Sequence, residues 1–261
     1  MSHYSLGVIL TKEQINEFGN VTDENAVFAA VSKAMNPFDE SLTVEPHLVK
    51  TIDELSEERN EILSYEGNNE FQLKLKKEYQ NTSLQHFCED FYEYEYREDG
   101  AYSTYNENSK WDWYVVGGRL ANQLPMKNII RPYGKADQYV SEVKGNMCKI
   151  KDIQFKKEFT EEEIEEYKKF YFNEIEGKGF YKPEYILSKY PTFEYYLEQQ
   201  SQFSTYALLT SDGIWHEPGR MGWFGCSTAT SEDEIKYENE YKEKVLAEDP
   251  ESYFVMVDCH I

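Results

Sequence analysis

Three groups of polar residues sit beside tryptophans or at the ends of apolar runs, and each has the makings of chemistry. They are Lys110, Asp112 and Arg119 around Trp111 and Trp113; His216 and Arg220, which lie between Trp215 and Trp223; and Asp258 with His260. An Asp–His pair with a lysine and two arginines suits an anionic, nucleotide-like ligand, with Trp113 or Trp223 stacking on a base. His216, Asp258 and His260 form a His/His/Asp set of the kind that holds a metal. No fourth ligand accompanies them, so neither a metal nor another cofactor is expected. Cys259 beside His260 invites a thiolate, but neighbours on a strand point to opposite faces, and His260 cannot easily activate it there. No Gly-x-Ser-x-Gly, P-loop or Gly-x-Gly-x-x-Gly occurs, which leans away from an enzyme. The plainer alternative is a tryptophan strand whose polar neighbours satisfy one another.

The stretch 105–120, Tyr-Asn-Glu-Asn-Ser-Lys-Trp-Asp-Trp-Tyr-Val-Val-Gly-Gly-Arg-Leu, organises the chain. Read as a strand, it points Trp111, Trp113 and Val115 one way and Asp112, Tyr114 and Val116 the other. Lys110 and Asp112 then share a face and one polar site. Gly117-Gly118 ends the strand and admits a close backbone or ligand. Arg119 emerges from that turn with a planar fork of donors suited to carboxylate or phosphate.

The elements that must position these residues follow from pattern. Leu6–Leu10 is an apolar run that predicts a buried strand. Val27, Ala30, Val31 and Ala34 keep helical spacing, and Asn36-Pro37 stops that helix. Residues 38–47 read as extended, with Pro46 at an edge. Thr51–Glu54, Thr160–Glu163 and Ser231–Glu234 each form a capping box that opens a helix. Tyr92, Tyr94 and Tyr96 alternate with charges as on a strand. Residues 205–210 and 214–216 pair as a hairpin across Ser211-Asp212-Gly213, and 253–257 form a last apolar strand that delivers Asp258 and His260. Together these predict an α+β fold: one domain over 1–261 with a largely antiparallel sheet, and helices inserted between strands at about 51–91 and 160–200. The pattern leaves room for a small helical subdomain.

Composition narrows the partners. Asp plus Glu number 49 against 27 Lys plus Arg, a net charge of −22, so direct binding to nucleic acid is not expected. Such acidity suits solubility, or an acidic face that mimics nucleic acid in a basic groove. The 22 tyrosines also suit an adaptable binding surface. Cys88, Cys148, Cys226 and Cys259 are scattered without a Cys-x-x-Cys, as for free thiols in a reducing compartment. No apolar run approaches the length of a membrane span.

Five stretches carry a resemblance: Met-Ser-His-Tyr-Ser (1–5), Pro-Phe-Asp-Glu-Ser-Leu-Thr-Val-Glu-Pro (37–46), Asn-Glu-Asn-Ser-Lys-Trp-Asp-Trp-Tyr-Val-Val-Gly-Gly-Arg (106–119), Asp-Gly-Ile-Trp-His-Glu-Pro-Gly-Arg-Met-Gly-Trp-Phe-Gly (212–225) and Val-Asp-Cys-His-Ile (257–261). In order and position they resemble a family of uncharacterised tailed-phage and prophage proteins. Leu120 departs, where relatives tend to carry tryptophan, and residues 13–36 look longer. The resemblance implies a phage gene product acting in the host cytoplasm and supplies no catalytic residues. By analogy of gene context, the leading expectation is a counter-defence or host-takeover factor. It would bind and inhibit a host protein, such as a basic nucleic-acid-binding or defence protein, through its acidic, tyrosine-rich surface. The alternative is an enzyme or sequestering protein for a nucleotide-like anion, using a Trp/Lys/Asp/Arg/His pocket.

Overall fold

The computed structural model describes residues 2–127, 140–222 and 225–261. The fold is α+β with largely antiparallel sheets. Internal contacts divide the chain into two compact units, residues 1–39 with 110–261, and residues 40–109 between them in sequence.

The chain opens with β1 (His3–Leu10), then α1 (Lys12–Asn16) and α2 (Glu24–Met35). Asp23 caps α2, accepting a hydrogen bond from the Asn25 amide at 3.0 Å. Val27, Ala30 and Val31 fall on one helical stripe and are buried. Residues 36–38 make a 3-10 turn where the sequence suggested an extended start, because Pro37 fits the first turn of a helix.

The 40–109 unit holds β2 (His47–Thr51), α3 (Ile52–Ser64), α4 (Glu70–Tyr79), α5 (Leu84–Phe91), β3 (Glu95–Arg97) and β4 (Gly100–Ser103). Its antiparallel sheet has the order β2-β4-β3. Leu55, Cys88 and Ala101 form its core. The Thr51–Glu54 capping box is present: Thr51 Oγ1 accepts from the Glu54 amide, and the Glu54 carboxylate accepts from the Thr51 amide. The expected helical insertion at 51–91 belongs to this unit.

The larger unit continues with β5 (Trp113–Gly118), β6 (Val140–Ser141), β7 (Met147–Lys149), α6 (Glu161–Ile175), α7 (Pro183–Lys189), α8 (Phe193–Ser201), β8 (Ala207–Leu209), β9 (Trp215–His216), α9 (Ser231–Leu246) and β10 (Tyr253–His260). Helices α6 to α8 gather around Tyr171, Ile186 and Tyr196. The cap of α9 is Thr230 with Asp233, one residue before the predicted pair, since Thr-Ser-Glu-Asp offers the same box one step earlier. The sheet runs β6-β5-β10-β1-β8-β9, with β7 also pairing β10. All its pairings are antiparallel except β1 with β8.

Period-two alternation gives this sheet two faces. Leu6, Val8, Val255, Val257 and Cys259 pack against α2. Ile9, Leu208, Phe254 and Met256 pack against Tyr237, Tyr241 and Val245 of α9. His3, Asp258 and His260 continue the α9-side alternation beyond its apolar part.

Just before β10, Glu251 accepts from Lys149 at 2.6 Å and also pairs with Lys151. Hydrogen bonds from Lys149 and Lys151 lower its carboxyl from the ordinary 4.5 to about 2. A folded-state pKa below the unfolded one adds stability above the unfolded value, and that stability is lost as pH falls through the folded value. The contribution should therefore be present above about pH 4.5 and disappear toward about pH 2. It should be modest and salt-sensitive, because the carboxylate is at the surface. Denaturant midpoints of wild type and Glu251→Gln should converge over that window and differ above it. Equal midpoints at neutral pH and low salt would refute the contribution.

Candidate functional site

At one end of the central strands, the α9-side alternation changes from apolar to polar. In β1–β10 pairing His3 lies opposite His260, and in β10–β5 pairing His260 lies opposite Trp113 and Asp258 opposite Val115. Side chains of His3, Trp113, Asp258 and His260 therefore share this end, joined by Asp112 just before β5.

Each histidine is tied through Nδ1 to a different carboxylate. His3 Nδ1 is 3.0 Å from Asp258 Oδ1, and His260 Nδ1 is 2.6 Å from Asp112 Oδ1. The two imidazoles stand edge to face with centroids 5.0 Å apart. Trp113 stacks on His260 at 4.8 Å and 16°, and meets His3 edge-on at 5.2 Å. Asp258 is 1% exposed and His260 3%. Trp113 is 38% exposed, so the cluster opens at its edge. The buried Nε2 of His260 has no hydrogen-bond partner among the described residues.

The carboxylates are fixed in turn. Asp258 Oδ2 accepts from the Arg119 backbone amide at 2.9 Å, and Asp112 Oδ1 accepts from the Trp113 amide at 2.7 Å. The turn after β5 makes the first of these bonds. Gly118 has φ +53°, and a Cβ there would stand 2.6 Å from Asp258 Oδ2. Only a residue without a side chain lets the backbone come this close. The Arg119 residue is itself exposed.

The sequence-predicted residues divide between this cluster and other places. Asp112, Trp113, Asp258, His260 and the Arg119 backbone come together. Trp111 does not share a face with Trp113, because β5 begins only at Trp113. Its indole is buried on the α2 side, donates to the Met35 carbonyl at 3.2 Å and meets Tyr114 edge-on. Lys110 does not join Asp112 in one polar site either; its ammonium pairs with Glu217 at 2.7 Å.

His216 lies three strands from β10, roughly 14 Å across the sheet at ordinary strand spacing. It cannot combine with Asp258 and His260 around one metal ion. Among the described residues no group of three or more His, Cys, Asp or Glu side chains could hold one. Instead His216 lines a cleft of about 330 Å³ with Lys110, Trp215, Glu217, Lys236 and Lys244. Burial, aided by the Lys244 charge, lowers its pKa below the ordinary imidazole range. Arg220 anchors a turn through its backbone, which exchanges hydrogen bonds with Thr228, and it is not among the residues lining that cleft. Trp223 lies outside the described residues. Cys259 is on the α2 side near Tyr4, where burial pushes its thiol well above the ordinary value. A thiolate nucleophile at Cys259 is thus disfavoured by both face and burial.

Sequence reasoning missed His3. It belongs to no periodic run and has no nearby carboxylate in sequence; its partner is 255 positions away. The only signal was its place in the opening stretch that carried the resemblance. Contacts also join parts of the other stretches that carried it. Phe38 accepts backbone hydrogen bonds from Lys110 and Trp111, and its ring packs against Trp215. Ser2 accepts from the Gly225 amide and exchanges two backbone hydrogen bonds with Ile261.

Comparison with family models, curated proteins and solved structures gives no match. Among the described residues no helix is long and apolar enough to cross a membrane.

Proposed function

We propose that the His3/Asp258–His260/Asp112 cluster is the working site of a phage-encoded accessory protein, and that it binds a phosphate-bearing, nucleotide-like anion in the host cytoplasm. The observation that carries this reading is the buried, unpartnered Nε2 of His260 in a cluster where a carboxylate engages each histidine Nδ1. A buried nitrogen without a partner costs about 1–3 kcal/mol, and a ligand hydroxyl, or an anionic ligand oxygen on the protonated ring, would remove that cost. Trp113 offers an accessible ring for a base, and the Arg119 guanidinium a fork for phosphate.

A second reading is favoured by a separate feature. Phe180 is 90% exposed at the turn between α6 and α7, beside Tyr181. The turn is held by the buried carboxylate of Glu174, which accepts from the Phe180 and Tyr181 amides at 3.0 and 2.6 Å. Gly179 lies so close to that carboxylate that a Cβ would overlap it at 2.1 Å. A rigidly held, exposed aromatic turn on a protein of net charge −22 suits a factor that binds and inhibits a basic host protein.

One experiment separates the two readings. Tagged protein is recovered from the bacterial host at low and high salt, and released proteins and small molecules are identified by mass spectrometry. The first reading expects a phosphate-bearing small molecule that is lost from Asp112→Ala and Trp113→Ala. The second expects a stoichiometric, basic host protein that leaves at high salt and is lost from Phe180→Ala. Recovery of neither would remove the support for both.

A further inference from the structure

We propose that His3 and His260 are a general acid–base pair that hydrolyses a phosphodiester at this end of the sheet. The inference rests on the reading of the cluster as a site for a phosphate-bearing anion, and adds the reaction.

The argument begins with the ring nitrogens. Both Nδ1 atoms are engaged by carboxylates, Asp258 for His3 and Asp112 for His260. Such a bond fixes the tautomer and the ring orientation, and leaves Nε2 directed away from the carboxylate to exchange a proton. The arrangement occurs twice, on two imidazoles that stand edge to face with centroids 5.0 Å apart. A structural His–Asp pair needs neither the duplication nor an Nε2 that is buried and unpartnered, as in His260.

The supporting groups are rigid. Trp113 stacks on His260, and the Arg119 amide holds Asp258. Preorganisation of this kind lets a proton move without rearrangement of its surroundings. Among the described residues neither imidazole is hydrogen-bonded to a serine, threonine or cysteine, and Cys259 faces the opposite side of the sheet. Two proton-transfer groups without an activated side-chain nucleophile suit direct attack by water.

The step balances without a further reactant. One imidazole, neutral, takes a proton from water as the water oxygen forms a bond to phosphorus. The P–O bond to the leaving alcohol breaks, and the other imidazole, protonated, gives its proton to the departing oxygen. A diester and water become a monoester and an alcohol, and exchange with solvent restores the two imidazoles. Asp112 and Asp258 are positioning residues, acting through the rings they hold.

The test uses the purified full chain with bis(4-nitrophenyl) phosphate and a 3′,5′-linked diribonucleotide as diester probes. Binding of a nucleoside monophosphate is followed separately by NMR shifts. The expected result is turnover of at least one diester. His3→Gln and His260→Gln should each lower it by about 100- to 10,000-fold, the range for loss of a general acid or base. Asp112→Asn should lower kcat with KM little changed, and a residue that only held the fold would not give that split. Binding without turnover of either diester overturns the acid–base proposal and leaves the ligand reading standing. Absence of both binding and turnover overturns both. Turnover unchanged in His3→Gln and His260→Gln also overturns the proposal, because the activity would then lie elsewhere.

Discussion

Gly118→Ala is expected to destabilise the protein by about 2–4 kcal/mol and to disable the histidine cluster, although alanine adds a single methyl group. Two effects combine. At φ +53° any L side chain is strained. The new Cβ would also stand 2.6 Å from Oδ2 and 2.7 Å from Cβ of Asp258, which is buried. If Asp258 shifts, the Arg119 amide and His3 lose their acceptor together. A natural control is Gly213→Ala, where φ is +85° but no atom lies within 4 Å of the added Cβ. It should cost only about 1 kcal/mol, the backbone part alone. Urea denaturation of both variants measures the difference. Equal losses would mean that the approach to Asp258 is relaxed elsewhere and that the turn is not shaped around it.

The second large effect is in the core between the sheet and α9. Phe254 is fully buried, its ring lies against Gly7, and it meets Phe203 edge-on at 5.8 Å. Phe254→Ala should cost about 3–5 kcal/mol, the sum of lost transfer energy and an unfilled cavity. The high end is expected, since Gly7 has no side chain to move into the space. Phe180→Ala, at an exposed ring of the same type, should change stability by no more than about 0.5 kcal/mol. Denaturant midpoints at constant m test both. A loss under about 1 kcal/mol at Phe254 would mean that the sheet collapses onto α9 more freely than its packing implies.

What could be read from the sequence was mostly local. The capping boxes at Thr51 and Thr160 depend on two side chains three residues apart, so the pattern and the bond are nearly the same information. The apolar run at Leu6–Leu10 identified a buried strand for the same reason. Sheet order was not legible, because the neighbours of β1 are β10 and β8, each about two hundred or more positions away. The parity of the tryptophan stretch failed for a specific reason. Period two holds only within a strand, and Trp111 lies before β5, where the backbone turns its indole toward Met35. Lys110 illustrates the limit of proximity in sequence: its strongest partner is Glu217, not Asp112 two residues away. His3 could not be found from spacing at all, because its place beside Asp258 and His260 depends on strand register and not on its neighbours.

That register bears on how the molecule is made. β10 sits between β5 and β1, so the centre of the larger sheet is contributed by residues 253–260. A ribosome-bound chain can complete the capped helices early, since those contacts are local, but β1 has no β10 to pair with until residues 253–260 have left the ribosome. Contacts of this sequence separation carry a large loop-closure cost and slow the folding transition. Until then the edges of β1 and β5 that β10 will cover are open to other strands, and the nascent chain is most exposed to mispairing. Because the histidine cluster takes His3 from β1 and Asp258 and His260 from β10, no shortened translation product ending before β10 can contain it.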